Sequence, residues 1–351
     1  MNVSVSVVIP VYKAKIEFLQ ACFDSLVAQT MRDCEFIVVS DGAPEAECSI
    51  CEEYAKKDSR FKFFKCEHAG VSATRNYGIN QARGEYITFV DCDDWIEKDT
   101  LSEAYNFARD NISDVVFWDL IFERQPNRNE YTQFSSQNIS HLLVGELAFF
   151  RENIIHASHR NFLIPALTVC KLIKLSIIKQ HEIVFDSSLS RGEDRVFNCQ
   201  VAMRADHYSY LHKRMYHYRV HNSSTEHSYH EKGFNDLLKF IQRLDSLLGH
   251  AYPQSIGNET ISCYFSCIYK LFLQNISLSQ ICQESAFLKN QIKSEPFHSI
   301  IQRAKSPNWT PLERIEVFLM KRKMSFLFVL LVTKALAYRF YLKLNRLVDN
   351  S

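Results

Sequence analysis

The stretch Gly84-Glu85-Tyr86-Ile87-Thr88-Phe89-Val90-Asp91-Cys92-Asp93-Asp94-Trp95 constrains this chain more than any other. Tyr86 to Val90 is apolar, aromatic or β-branched, the composition of a buried strand. It runs directly into three carboxylates within four positions. Carboxylates at the carboxyl end of a strand in an α/β sheet lie in the crevice where such sheets bind ligands. Crowded carboxylates repel one another and usually have a cation to hold. Hard oxygen donors with open positions suit Mg²⁺ or Mn²⁺, ions that commonly arrive with phosphates. The plainer alternative is an acidic turn that caps a helix starting near Thr100.

The residues before this stretch alternate between two periods. Val3 to Val11 reads as a buried strand ended by Pro10, and Leu19, Cys22, Phe23 and Leu26 mark one face of a helix. A strand is expected over Glu35 to Val39, an amphipathic helix over Glu45 to Lys57, and a short strand over Phe61 to Phe64. A turn and helix follow over Gly70 to Arg83. Beyond the acidic turn, Thr100 to Asp110 reads as a helix and Asp114 to Trp118 as a strand. This alternation predicts an α/β fold, with a mostly parallel sheet flanked by helices on both faces. The strand ends are polar: Tyr12-Lys13, Ser40-Asp41 and the acidic turn. Three such ends on one edge make a nucleotide-sized site. Neither G-x-G-x-x-G nor G-x-x-x-x-G-K-[ST] occurs, so it is neither a dinucleotide nor a P-loop site by motif.

Farther on, Gln125 to Ser140 is polar and aperiodic, a loop or insertion; Val144 to Arg151 reads as helical and Ile164 to Gln180 as mixed. Asp194 stands near the start of a helix whose apolar face carries Val196, Phe197 and Val201. Tyr208 to Leu211 and Met215 to Val220 read as two strands. From Tyr229 onward helical patterns dominate. The expected division is a catalytic domain over 1–225 and a helical region over 226–351.

Apolar content of 46% and charged content of 23% are ordinary for a globular protein, and a net charge of +1 gives no reason to expect a nucleic-acid partner. Of the eleven cysteines, Cys48 and Cys51 form one C-x-x-C with no second pair at zinc spacing; they fit the apolar face of their helix. A strand beginning almost at Met1 leaves no room for a signal peptide, so a reducing cytoplasm and free thiols are expected. The final stretch, about 318–348, sets Lys321-Arg322-Lys323 before an apolar run from Met324 to Val332. Lys334, Arg339, Lys343 and Arg346 then alternate with Leu336, Phe340, Leu344 and Leu347. The run is shorter than the roughly 20 residues that span a bilayer. A basic face beside a large apolar face fits a helix lying in the membrane interface, peripheral at the inner face of the cell membrane. A terminal helix packed on the domain, or an oligomer contact, is the alternative.

Several of these stretches, taken together, resemble the inverting family 2 glycosyltransferases of GT-A fold, a Rossmann-like nucleotide-sugar architecture, and among them bacterial enzymes building O-antigen, capsule or related surface glycans. The matching segments are Val7 to Tyr12, Val38 to Gly42, Gly70 to Ile79, Gly84 to Trp95 and Gly192-Glu193-Asp194, in the family's order and near its spacing. The resemblance implies that Pro10, Tyr12, Asp41, Arg75, Asp91 and Cys92 hold the nucleotide of a UDP-sugar, with His68 against the base. It makes Asp91-Cys92-Asp93 the D-x-D motif, with Asp93 on a Mn²⁺ or Mg²⁺ cofactor and His221 as a further ligand, His217 being the fallback. It makes Asp194 the catalytic base, and Trp95 and Glu193 acceptor contacts. The acceptor it implies is a lipid-linked glycan, and the sequence departs from the pattern at Ser40, Ala43-Pro44 and Cys170.

The chemistry explains these residue types. A divalent cation bridging a diphosphate stabilises the leaving group, and one carboxylate on the far side of the sugar deprotonates the incoming hydroxyl, giving inversion. Each residue also has a structural alternative. Asp194 could cap its helix, Glu193 could pair with Arg191 or Arg195, His221 could be a solvated loop histidine, Arg75 could merely balance the acidic site, and Trp95 could be core. A nucleotidyltransferase, or a non-catalytic membrane-docked binding protein, remains the competing reading.

Overall fold

The computed structural model describes residues 3–123, 128–131, 167–220, 233–273, 290, 293–306 and 309–323. The chain divides into two compact units, Met1–Thr225 and Glu226–Ser351. The first opens with three strand–helix repeats: β1 (Val5–Val11), α1 (Ile16–Val27), β2 (Cys34–Asp41), α2 (Glu45–Lys57), β3 (Phe61–Cys66) and α3 (Val71–Gln81). β4 (Tyr86–Phe89) then leads through the acidic turn to β5 (Trp95–Ile96) and α4 (Thr100–Asp110). β6 (Val115–Glu123), β7 (Arg128–Tyr131), β8 (Lys171–Lys174), α5 (Leu175–Gln180), α6 (Glu193–Ala202) and β9 (Tyr208–Arg219) complete it.

The nine strands among the described residues form one sheet in the order β3-β2-β1-β4-β8-β6-β9-β5, with β7 paired to β6. β3, β2, β1 and β4 are mutually parallel. β8 enters antiparallel between β4 and β6, and β9 runs parallel to β6. The expected helix-flanked sheet is therefore present, parallel in its first half and mixed in its second. Strands buried on both faces carry unbroken apolar runs, and β1 (Val-Ser-Val-Val-Ile-Pro-Val) and β2 are buried at every position. Close helix packing against β1 depends on Gly78: a Cβ there would lie 2.4 Å from Val8 Cγ1. Cys48 and Cys51 are buried together on α2, free and on the apolar face, as their spacing suggested.

Among the differences from expectation, three have a clear physical cause. Pro10 does not end β1; it pairs in register with Val39. Pairing with β4 stops at Val8↔Phe89, so Pro10 falls where one flank of β1 has no ladder to receive an N–H. The two strands expected over 208–220 are one, β9, carried across a bulge: Trp118 pairs with Leu211 but Asp119 with Arg214. The polar His212-Lys213 that broke the apolar pattern is the bulge itself. Part of the segment read as a loop, Arg128–Tyr131, pairs antiparallel with the far end of β6. Its polarity hid it, and polarity is ordinary for a strand at a sheet margin. The helix expected over Val144 to Arg151 lies outside the described residues.

The second unit contains α7 (Gly233–Leu248), α8 (Pro253–Leu273), α9 (Phe297–Gln302) and α10 (Pro311–Lys321). Phe240, Ile241, Leu244, Ile256, Tyr264, Phe297, Ile301 and Met320 are buried in it. α10 begins with a full capping box between Thr310 and Glu313, with Pro311 just inside. The basic and apolar tail beyond Lys323 lies outside the described residues.

Candidate active site

The carboxyl ends of β1, β2 and β4 converge because their strands are parallel neighbours. At the end of β2, Asp41 is buried, and its carboxylate organises the loop before α3. Oδ1 accepts from the Ala69 N–H at 2.7 Å and the Gly70 N–H at 3.1 Å, while Oδ2 lies 3.0 Å from His68 Nδ1. The His68 ring stacks on Tyr12 from the end of β1, centroids 4.4 Å apart and 15° from parallel. An exposed pair of flat rings thus stands beside a buried carboxylate. The loop after Tyr12 is held from below by Glu47 on α2. Burial raises the Glu47 pKa, and hydrogen bonds from the Ala14 and Lys13 amides work against that rise.

At the end of β4 the three carboxylates do three different things. Asp91 Oδ1 accepts from Arg75 Nη2 at 2.9 Å. Asp94 is buried and built into the fold: Tyr216 OH donates to Oδ2 and the Arg219 N–H to Oδ1, each at 2.7 Å. Burial, then Asp93 and Asp91, push the Asp94 pKa well above the carboxylate range. Tyr216 also accepts from the Asp91 N–H at 3.3 Å, and Arg219 Nε donates to the Asp93 carbonyl at 2.8 Å. β9 therefore ties the acidic turn at three points, and Asp93 is the half-buried carboxylate between two anchored neighbours. Cys92 is half-buried and chemically quiet, its thiol pushed well up by burial and by Asp93. Trp95 stacks on His217 at 4.7 Å and lies under the Arg219 guanidinium at 4.5 Å.

The two candidate histidines separate. His217 is buried, with Nδ1 2.9 Å from Glu123 Oε1 and Nε2 2.9 Å from Glu97 Oε1, so both ring nitrogens are engaged by carboxylates. His221 lies outside the described residues. Among the described residues no three His, Cys, Asp or Glu side chains converge as a metal site.

The start of α6 brings the second pair of carboxylates to the same cation. Asn76, beside Arg75 on α3, exchanges two 2.8 Å hydrogen bonds with the Phe185 backbone and draws that segment against α3. Arg75 is buried, its guanidinium 5.4 Å over the Phe185 ring, with Nη1 3.6 Å from Glu193 Oε1. One arginine thus joins Asp91 to Glu193. Gly192 is the N-cap of α6 in the left-handed region, φ 77°, and no side chain caps the helix. Asp194 is therefore not a cap; its Oδ1 accepts from the adjacent Arg195 N–H at 2.7 Å. Burial raises the Asp194 pKa, opposed by Arg75, Arg195 and Lys171. Burial also raises that of Glu193, with Asp194 adding and Arg75 opposing.

The glycosyl transferase family 2 model matches residues 6–167. Over 250 residues the chain is 33% identical to the putative glycosyltransferase EpsH of Bacillus subtilis, covering 68% of this chain and 67% of that one. The chain is a family 2 glycosyltransferase. It is also 29% identical over 250 residues to glycosyltransferase GlyA of Streptococcus pneumoniae, across 71% of this chain and 35% of the relative, so it spans about a third of that protein's length. Residues 1–349 of TarS from S. aureus, solved in complex with UDP, match with a TM-score of 0.69 at 20% identity, over 94% of this chain and 90% of that one. That likeness establishes the GT-A-like fold, a mixed α/β sheet with a helical C-terminal region. The glycosyltransferase assignment removes the nucleotidyltransferase reading. No helix among the described residues is long and apolar enough to cross a membrane.

Sequence reasoning missed several residues that hold the candidate site residues in place. Tyr216 and Arg219 looked like strand residues. Lys171 drew notice only for its neighbour Cys170, yet it is buried, with Nζ donating to Asn198 Oδ1 at 2.9 Å and to the Leu167 carbonyl. Asn198 lies one turn beyond Asp194 on α6. Burial drives the Lys171 pKa down to about 7, against the pull of Asp194.

Proposed function

We propose that this glycosyltransferase moves a sugar from a UDP-sugar to a hydroxyl of a glycan acceptor during synthesis of a bacterial surface polymer, with inversion at the anomeric carbon. One observation carries the reading: Arg75 joins Asp91 of the D-x-D turn to Glu193, the residue before Asp194. A donor-binding edge and a candidate base are thereby built around a single buried cation. Relatives lend support. TarS has been solved with UDP and with UDP-GlcNAc, and a Bacillus spizizenii relative, 31% identical over 220 residues, is a poly(ribitol-phosphate) β-glucosyltransferase.

In this reading Pro10, Tyr12, Asp41 and His68 frame the base, the ring pair offering it a face and the anchored loop its edge. Arg75, Asp91 and Cys92 set the floor beneath the ribose and phosphates. Asp194 accepts the proton of the acceptor hydroxyl as oxygen attacks C1, and the nucleoside diphosphate leaves from the opposite side. A raised pKa suits a base that must hold this proton through the transition state. Trp95 and Glu193 flank the acceptor. Mg²⁺ and Mn²⁺ bind through one or two carboxylates together with substrate phosphates. The D-x-D turn fits that demand, with its carboxylates at the carboxyl end of β4 and Asp93 half-buried there. Asp93 and His221 would hold the ion, which when bound stabilises charge on the leaving diphosphate.

The same proposal places the protein at a membrane surface. Leu312, Ile315 and Phe318 are exposed at helical spacing along α10, and Lys321, Arg322 and Lys323 follow them. The basic, apolar tail continues this pattern in sequence. Removing residues from 324 onward is expected to weaken pelleting with anionic liposomes strongly; unchanged pelleting would sink this part.

The decisive experiment is release of nucleotide from a panel of sugar nucleotides, with Mg²⁺ or Mn²⁺ and with chelator. Metal-dependent release of UDP from one donor is expected and would name the sugar. Failure to bind any uridine nucleotide would overturn the donor reading.

A further inference from the structure

We infer that Arg219 is a phosphate-binding residue of this enzyme, with its guanidinium edge held ready for the diphosphate of the donor. This rests on the UDP-sugar reading above. Arg219 is the last residue of β9, and its guanidinium is sandwiched between two rings. Its Cζ is 4.1 Å from the Phe18 centroid at the start of α1 and 4.5 Å from that of Trp95 on β5. Stacking of this kind fixes the plane of the group and leaves only its edge for hydrogen bonding.

Part of that edge is used inside the protein. Nε donates to the Asp93 carbonyl at 2.8 Å, and the backbone N–H donates to Asp94 Oδ1. Neither Nη atom has a hydrogen-bond or ion-pair partner among the described residues. The fork is therefore oriented and locked by three elements, but its donors are not consumed. Arg75 is the opposite case, its Nη atoms lying against Asp91 and Glu193. An arginine immobilised this way has lost its rotamer entropy in advance, which is how a preorganised anion site gains affinity.

Two observations select a phosphate as the ligand. The guanidinium is bonded through Nε to the Asp93 carbonyl, on the turn where the donor's diphosphate and its cation would meet. A planar fork with two parallel donors also matches a phosphate better than a point charge does. The turn already holds three carboxylates, so an anion beside it needs a cation to share, and Mg²⁺ commonly arrives with substrate phosphates.

The test compares the full-length wild type with R219M and R219K for binding of UDP and inorganic pyrophosphate by calorimetry in Mg²⁺, and of uridine by ligand-observed NMR. R219M is expected to weaken UDP and pyrophosphate by about 10- to 100-fold, the scale of a charge-assisted hydrogen-bond pair. Uridine binding should be unchanged, and R219K should recover part of the loss. Equal UDP affinity in R219M and wild type would overturn the inference. So would equal weakening of UDP and uridine, which marks a collapsed turn. Arg219-dependent pyrophosphate binding without any preference for UDP would leave the anion site standing and defeat the donor reading. Binding of neither to the wild type would defeat both.

Discussion

The two acidic clusters of the site, Asp91 to Asp94 after β4 and Glu193-Asp194 at the start of α6, are held in opposite ways. In the turn the two anchored carboxylates have different partners: Arg75, which also reaches Glu193, for Asp91, and Tyr216 with the Arg219 amide for Asp94. At the helix start two neighbouring carboxylates are crowded at low solvent exposure and lean on one shared arginine. Burial raises both of their pKa values, and Arg75 works against the rise at each. The first arrangement fixes shape and leaves Asp93 at the site. The second stores proton affinity. A site that must grip a diphosphate and also take up a proton gains from having both.

The largest break in this comparison should come from Asp194→Asn. Transfer is expected to fall about 10²- to 10⁴-fold, the usual cost of losing a general base, with UDP affinity unchanged by calorimetry. Persistent transfer would move the base elsewhere. Arg75→Met attacks the link between the clusters. It leaves buried carboxylates uncompensated, and urea denaturation should show a loss of about 3–5 kcal/mol; a loss near zero would mean that water replaces the cation.

Lys171 sharpens the picture of the helix start. Its folded pKa of about 7 lies below the ordinary lysine value of 10.5. Between these values the unfolded chain binds a proton that the folded chain does not, so this group makes stability rise with pH across that window, by up to about 1.4 kcal/mol per pH unit. In Lys171→Met this contribution to the slope should vanish from urea midpoints taken at pH 7.5, 8.5 and 9.5. Glu193→Gln should give the smallest effect. Because burial raises the Asp194 pKa, kcat is expected to fall with decreasing pH at a point above the ordinary aspartate value. Removing the neighbouring charge should move that limb to lower pH, by under about one unit. A shift in the other direction would mean that Glu193 acts chiefly through its contact with Arg75.

Local pattern explains why so much could be read in advance. The helices Glu45–Lys57 and Thr100–Asp110 were expected at the observed boundaries because amphipathic period and polar flanks are local signals. The polar strand ends were visible for the same reason. Pro10 was misjudged because its tolerance depends on where β4 stops pairing, which no local pattern records. The strand Arg128–Tyr131 was missed because its pairing with β6 comes from tertiary context rather than apolar alternation.

The sequence by itself determined the alternating α/β fold, the polar edge of the sheet and the acidic turn, because each is written in residues adjacent along the chain. Only the tertiary structure decided which carboxylate does what. Asp91 is separated by 16 positions from Arg75, and Asp94 by 122 from Tyr216. Three aspartates that look equivalent in a row acquire different partners and burial only when α3 and β9 fold against them. Charge and dielectric act through space, and the sequence orders residues only along the chain.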